Sequence, residues 1–329
     1  MKFNVSASPH VRAPQSTRRI MGDVLLALAP ACAVGVYRFG YRALVVLALC
    51  AATAVLAEWL LHKLMKREQT VGDLSALVTG VLLGMNLPVS SPWWLCALGS
   101  LFAIGLVKVP FGGIGHNFVN PALAARAFLL ASFPVRMTAW TNPVNSPLAS
   151  LADATSGATP LAQLAQGGTV GASPSQAFLS LLLGDNAGCI GEVSVIALLI
   201  GYAYLLARGV VGWRIPVVYI GTVFIGTALL GASAGQTAYG PLWNGTLQVV
   251  SGGLVLGAVF MATDYTTSPV TPLGQLIYAA GCGILTTVIR LYGGYPEGVS
   301  YSILIMNICV PLIERYMHVR VYGEVKRHA

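Results

Sequence analysis

The sequence predicts an all-α polytopic membrane protein: about ten transmembrane helices arranged as two inverted five-helix repeats, with both termini cytoplasmic. Three observations predict it. Of 329 residues, 56% are apolar and only 9% charged, far less charge than a soluble surface of this size carries. Apolar runs recur along the chain, several near the roughly 18–20 residues that cross about 30 Å of hydrocarbon as helix. The basic residues behind a net charge of +8 gather in alternate segments between those runs.

The runs fall at about 20–37, 43–61, 74–87, 93–110, 118–134, 191–208, 214–231, 249–262, 274–290 and 299–316, each bounded by Gly, Pro or charge. The first follows a polar, basic stretch and resembles a signal sequence, but with so many spans after it it reads as a retained helix. The third and eighth are short, and glycines such as Gly80 and Gly84 point to broken or closely packed helices around a buried site. The polar stretch of about 135–190 is too long for a simple connection, and loops of that length are usually functional or disordered. One membrane domain over 1–329 is expected, with a first repeat over about 20–134, the loop, and a second repeat over about 191–317. Gly72, Gly80 and Gly84 recur at constant offset as Gly245, Gly253 and Gly257, and Phe111-Gly112-Gly113 is echoed by Tyr292-Gly293-Gly294. Five spans in each half, an odd number, invert the second against the first.

An inside N-terminus puts Lys2, Arg12, Arg18, Arg19, Lys63, Lys66, Arg67, Lys108, Arg208, Arg214, Arg315, Arg320, Lys326 and Arg327 on the cytoplasmic side, fourteen of nineteen basic residues. Arg38, Arg42, Arg136 and Arg290 fall outside and Arg126 within the fifth span, so the long loop faces the extracytoplasmic side. The positive charge therefore reports topology, and no nucleic-acid partner is expected; the surroundings are membrane lipid. The six cysteines show no C-x-x-C or Cys/His spacing, so neither a metal site nor a disulfide framework is expected. No Walker loop, H-E-x-x-H or G-x-S-x-G is present, and no catalytic residue is assigned.

Four polar features stand out. The loop carries Asp153 and Ser156-Gly157-Ala158-Thr159, read on physics alone as a small-residue turn or a helix N-cap ending in an exposed hydroxyl. Near the inner end of the fourth and fifth spans, Gly112-Gly113-Ile114-Gly115-His116-Asn117 runs on to Asn120-Pro121-Ala122. Its glycines permit close backbone approach, and the helix start offers free N–H groups that suit a polar ring edge or an anion; a tight turn capped by Asn accounts for the same residues. Met261-Ala262-Thr263-Asp264 ends the eighth span at the same face, as one half of a shared site or as a helix cap. Charges at Glu58, Asp73, Asp185, Glu192 and Arg126 complete the set, and Arg126, inside a span, requires a carboxylate or a polar ligand as partner.

These motifs, in this order, resemble the D subunits of the Rnf complex and the related B subunits of the sodium-translocating NADH:quinone oxidoreductase, over essentially the whole chain. The resemblance implies FMN joined through its phosphate to the hydroxyl of Thr159 by a separate flavin transferase, with Asp153, Ser156, Gly157 and Ala158 as the recognition sequence. It also implies a noncovalent riboflavin near the cytoplasmic side, contacted by Asn117, Asn120, Thr263 and Asp264, with Gly113 and Arg126 as further cofactor contacts. The first span beginning near residue 20 and the Thr159-Pro160-Leu161 continuation are more similar to the Rnf type, whereas Tyr265 stands where proline is more usual. The implied activity is electron transport between ferredoxin and NAD, coupled to Na+ or H+ movement across the bacterial inner membrane. It requires partners: other membrane subunits, a second FMN-bearing subunit, and iron–sulfur and NADH-binding subunits. Inverted repeats with glycine-rich helices also fit a solute channel or transporter.

Overall fold

A computed structural model describes residues 16–146, 155–171, 173–192, 194–236, 238–295 and 297–317. Among them the chain is helical, without a strand; one isolated antiparallel bridge joins Thr141 to Ser156. Asp153, and the basic residues at 2, 12, 320, 326 and 327, lie outside the described residues.

Each of the ten apolar runs is helical. Helix α1 covers Thr17–Phe39 and α2 Tyr41–Leu64, α3 is the short Ser75–Met85, and α4, Trp93–Phe102, continues as a π-helical stretch over Ala103–Lys108. Helix α5, Pro121–Ser132, begins where Asn120 accepts from the N–H groups of Ala122 and Leu123 and Pro121 fills the first turn. Among the described residues the long loop holds three short helices: α6 Pro134–Met137, α7 Pro160–Ala165 and α8 Pro174–Leu183. The second half contains α9 Val195–Ala207, α10 Arg214–Leu230, α11 Pro241–Val250, α12 Leu254–Leu256 with a π-helical continuation over Gly257–Met261, α13 Pro272–Tyr292 and α14 Val299–Tyr316.

Helices α1, α2 and α13 are long and apolar enough to cross a membrane by themselves, and α11 with α12, bent by 63° at their break, form a fourth candidate. The other apolar helices are shorter. The eighth run thus differs from its expected 249–262: it starts at Pro241 and breaks at Ser251–Gly253, because Gly252 takes a left-handed φ of 66° that ends α11.

Packing repeats between the halves. Helix α2 lies against α3 and α4 as α10 lies against α11 and α13, while α1 meets α9 and α5 meets α14. The close approaches are made by glycine: a Cβ on Gly80 would stand 2.7 Å from Ala51 Cα, and one on Gly245 2.9 Å from the Phe224 carbonyl. Gly72, which matches Gly245 at the sequence offset, meets nothing. The glycines that correspond by offset are therefore not the ones that do corresponding work.

Candidate functional site

A cavity opens where α1, α3, α4, α5, α9 and the end of the α12 segment converge. Asn117, Asn120, Thr263 and Asp264 all line it, so the two motifs that end the fourth and eighth runs meet in one place. Gly113 is not among its lining residues; with φ of 87° it serves the turn that carries Asn117.

Most polar atoms of this cavity are committed to the fold. Asn120 caps α5 through Oδ1 and donates from Nδ2 to the Met261 carbonyl at 3.3 Å. The Thr263 hydroxyl donates back to the Val259 carbonyl at 2.5 Å, and Asp264 Oδ2 accepts from Thr266 at 3.1 Å and Thr267 at 3.5 Å. Burial pushes the Asp264 carboxyl above the usual carboxylate range, with the bonds from Thr266 and Thr267 pulling the other way. Asn117 Oδ1 is the exception: it is buried and has no hydrogen-bond partner among the described residues. Lys108 also lines the cavity, although its charge reads in the sequence as a topology signal. It is 2% exposed, its Nζ 2.7 Å from Glu58 Oε1 and 2.5 Å from Ser75 Oγ, on the π-helical turn that ends α4.

The outer motif is built differently. Thr159 is the N-cap of α7, its hydroxyl accepting from the Ala162 N–H at 3.2 Å, and the residue is only 6% exposed. The hydroxyl expected to be exposed is therefore buried against its own helix. Ser156 bridges Thr141, Gly157 N–H donates to the Trp140 carbonyl at 3.3 Å, and Gln163 Nε2 donates to the Ala158 carbonyl at 3.1 Å. Any Cβ on Gly157 would overlap Asn142 Oδ1, so this position takes only glycine while Asn142 keeps its place. Ser156, Gly157 and Ala158 border a cleft with Ser90 and residues 138–141.

Helix α4 fixes how far apart these regions are. Ser90 borders the outer cleft just before α4, and Lys108 ends it at the inner cavity. The 10 α-helical and 6 π-helical residues between the two span roughly 24 Å at about 1.5 Å per residue.

Arg126 lines neither region. Its guanidinium donates to Asn86 Oδ1 at 2.9 Å and lies 3.6 Å from Glu192 Oε1, 3.6 Å from Cys189 Sγ and in direct contact with Glu297 Oε2. Asn86 and Glu297, both absent from the sequence expectation, complete this cluster. An isolated Glu before a predicted helix carries no signal, and Asn86 is one polar residue in an apolar run.

A family profile described as NQR2, RnfD, RnfE matches residues 4–323. The chain belongs to that family. Its relatives match at full length. The D subunit of the Na(+)-translocating ferredoxin:NAD(+) oxidoreductase complex of Acetobacterium woodii is 51% identical, over 99% of this chain and 97% of that relative. The D subunit of the proton-translocating ferredoxin:NAD(+) oxidoreductase complex of Clostridium ljungdahlii is 43% identical over 95% and 94%. The D subunit of an ion-translocating oxidoreductase complex of Stutzerimonas stutzeri is 41% identical over the same shares, 95% and 94%. Two relatives in one family are thus named for different ions, so family membership leaves the coupling ion of this chain open.

Proposed function

We propose that this chain is the D-type membrane subunit of an ion-translocating ferredoxin:NAD oxidoreductase, carrying electrons between a covalent FMN on Thr159 and a noncovalent riboflavin in the cavity lined by Asn117 and Asp264. The observation that carries the reading is the full-length 51% identity to the D subunit of such a complex, with Ser156-Gly157-Ala158-Thr159 intact in this chain. In this reading the ten helical runs form two inverted five-span repeats, both termini are cytoplasmic and the Thr159 loop is extracytoplasmic. The repeated packing partners and the basic-residue asymmetry support it.

The residues fit both groups. Thr159 supplies the hydroxyl for a phosphoester, which leaves the isoalloxazine ring free to take one or two electrons. Because that hydroxyl caps α7 and is 6% exposed, the flavin transferase acts on the loop while α7 is undocked. The inner cavity suits a ring without a phosphate: Asn117 Oδ1 stands ready to accept from a ring N–H, and the Asp264 carboxyl lines the same wall. Lys108 lines the same wall as half of a buried ion pair with Glu58, bonded also to Ser75, so that it would offer a polar edge to the ring without net charge.

The length of α4 separates the outer cleft from the inner cavity that would hold the two groups. Carriers on partner subunits, iron–sulfur and further flavin groups among them, bridge that gap and connect to ferredoxin and NAD.

Mass spectrometry of the peptide containing Thr159, from the assembled complex, is expected to show an FMN adduct on that residue. An unmodified Thr159 in an active complex sinks the attachment. The bent α11–α12 pair favours one rival, a solute pathway. That reading predicts ion flux through the purified chain without electron donors.

A further inference from the structure

Between the outer cleft and the inner cavity lies a cluster that neither flavin uses. Arg126 enters it from α5, Glu192 from the segment before α9 and Glu297 from the turn before α14. Arg126 pairs with both carboxylates. The nearby Arg290 feels the charge of Glu192 but makes no direct ion pair with either carboxylate among the described residues. Its guanidinium donates to the backbone carbonyls of Gln248 (2.5 Å), Ser251 (3.3 Å) and Glu297 (3.2 Å) and to Gln248 Oε1 (3.3 Å), mostly acceptors freed where α11 breaks. The guanidinium of Arg290 is thus held mainly at the negative end of α11, and among the described residues Arg126 alone pairs directly with the two carboxylates.

A second observation points to a ligand. The Glu192 side chain is 3% exposed, yet its Oε1 has no hydrogen-bond partner among the described residues. The backbone of Gly253 comes close to that oxygen, and a Cβ there would stand only 2.8 Å from it. Two residues earlier, the fully buried Ser251 hydroxyl is likewise unpartnered. Ligand atoms of Cys189, Glu192 and Glu297 lie within 4.8 Å of one another. The Cys189 thiol already donates to the Asn86 carbonyl at 3.2 Å, so it forms a wall, and the oxygen donors that remain suit a hard cation.

We propose that Glu192 and Glu297 form an exchangeable site for one monovalent cation, a sodium ion or a proton, with Arg126 as its resident competitor. Binding removes Arg126 from Glu192 and takes the net charge of Arg126 and the two carboxylates from −1 to 0, with no change in any covalent bond except, for a proton, the new O–H. The break in α11–α12 places this site where transporters hold coupling ions, under the helix that begins at Thr159: a Cβ on Gly252 would overlap Leu161. The inference rests on the reading that the chain serves an ion-translocating complex.

The test uses the intact complex in liposomes, titrating donor-driven electron transfer with sodium chloride at fixed pH and constant ionic strength, and with pH at fixed low sodium. Glu192→Gln is expected to raise the half-saturating sodium concentration tenfold or more or, where a proton is the occupant, to move the pH midpoint by about one unit. Arg126→Gln, which removes the competitor, is expected to move the same midpoint in the opposite direction, which loss of folding does not do. Gly253→Ala changes no charge and crowds the unpartnered oxygen. It is expected to weaken cation dependence as Glu192→Gln does, and it keeps the proposal testable if the charge variants fail to assemble. Unchanged sodium and pH midpoints in assembled Glu192→Gln and Gly253→Ala complexes overturn the site. A wild-type complex that transfers electrons but moves no cation overturns instead the reading on which it rests.

Discussion

The two ends of α4 carry sites of opposite construction. At the outer end, Ser156 to Thr159 are consecutive residues tied to the chain by the Gly157 N–H to the Trp140 carbonyl and, just before them, the Asn142 N–H to the Thr155 carbonyl, and the Thr159 hydroxyl is already occupied as a helix cap. At the inner end, six segments remote in sequence enclose a preformed volume, and its polar groups serve the fold first: Asn120 as a cap, Thr263 as a back-bonded hydroxyl. A covalent anchor needs a short sequence that an enzyme can read and a segment that can leave its packed position. A noncovalent ring needs shape and a few unpaired atoms, which only a finished fold supplies. With the proposed function, the difference predicts that a flavin on Thr159 and a flavin in the inner cavity are lost independently.

The largest effect is expected from Thr159→Ala. Denatured protein should lose all flavin fluorescence while the native complex keeps its extractable riboflavin. Loss of both flavins would break the comparison by showing that the outer anchor supports the inner cavity. Next comes Asn117→Leu, which removes the unpaired acceptor at nearly constant volume. A ring N–H left without its partner loses about 1–3 kcal/mol, or roughly 5- to 150-fold in retention, read as riboflavin released on dilution, with the Thr159 adduct unchanged.

Asp264 sharpens the inner half of the comparison through pH. Burial raises its carboxyl above the unfolded value of about 3.9, so stability from the neutral form is fully present below that value and is lost as pH rises through the elevated one. The thermal inactivation midpoint of the complex is expected to decline over that window in the wild type and to flatten in Asp264→Asn. An identical slope in both would assign the pH dependence to other groups.

How much of this was legible in the sequence follows from the same contrast. Apolar spacing located the ten long helical runs, because transfer to hydrocarbon imposes length and composition on each segment separately, but not the short loop helices α7 and α8, which are too short to carry that signal. It misplaced the start of the eighth, where an amphipathic half-helix from Pro241 carries Asn244 and Gln248 and does not read as a span. The outer motif was legible because it is linear. The meeting of Asn117 with Asp264 was suggested only by their falling at one face, and Lys108 was counted with the loop charges although its buried partner Glu58 lies 50 residues away. Glu297, at the turn before α14, gave no sign that it would reach Arg126, 171 positions earlier. Such pairings depend on which helices become neighbours, and no local pattern encodes that.

The smallest effect, and the one that probes the outer half alone, is expected from Gly157→Ala. Glycine is present there because the Asn142 side chain occupies the space of a Cβ, not because of a left-handed backbone, since Gly157 is not among the glycines with positive φ. Alanine must therefore displace Asn142, which gives up its 3.0 Å bond to the Thr155 hydroxyl, a loss of about 1 kcal/mol in a local segment. Because the lost bond is local to the Asn142–Thr155 contact, the global midpoint should stay fixed while proteolysis between residues 140 and 160 speeds up about fivefold. Flavinylation is then expected to be undiminished or faster, since opening the loop exposes the Thr159 hydroxyl. Slower flavinylation with faster proteolysis would show that the transferase reads the folded loop and not the undocked chain.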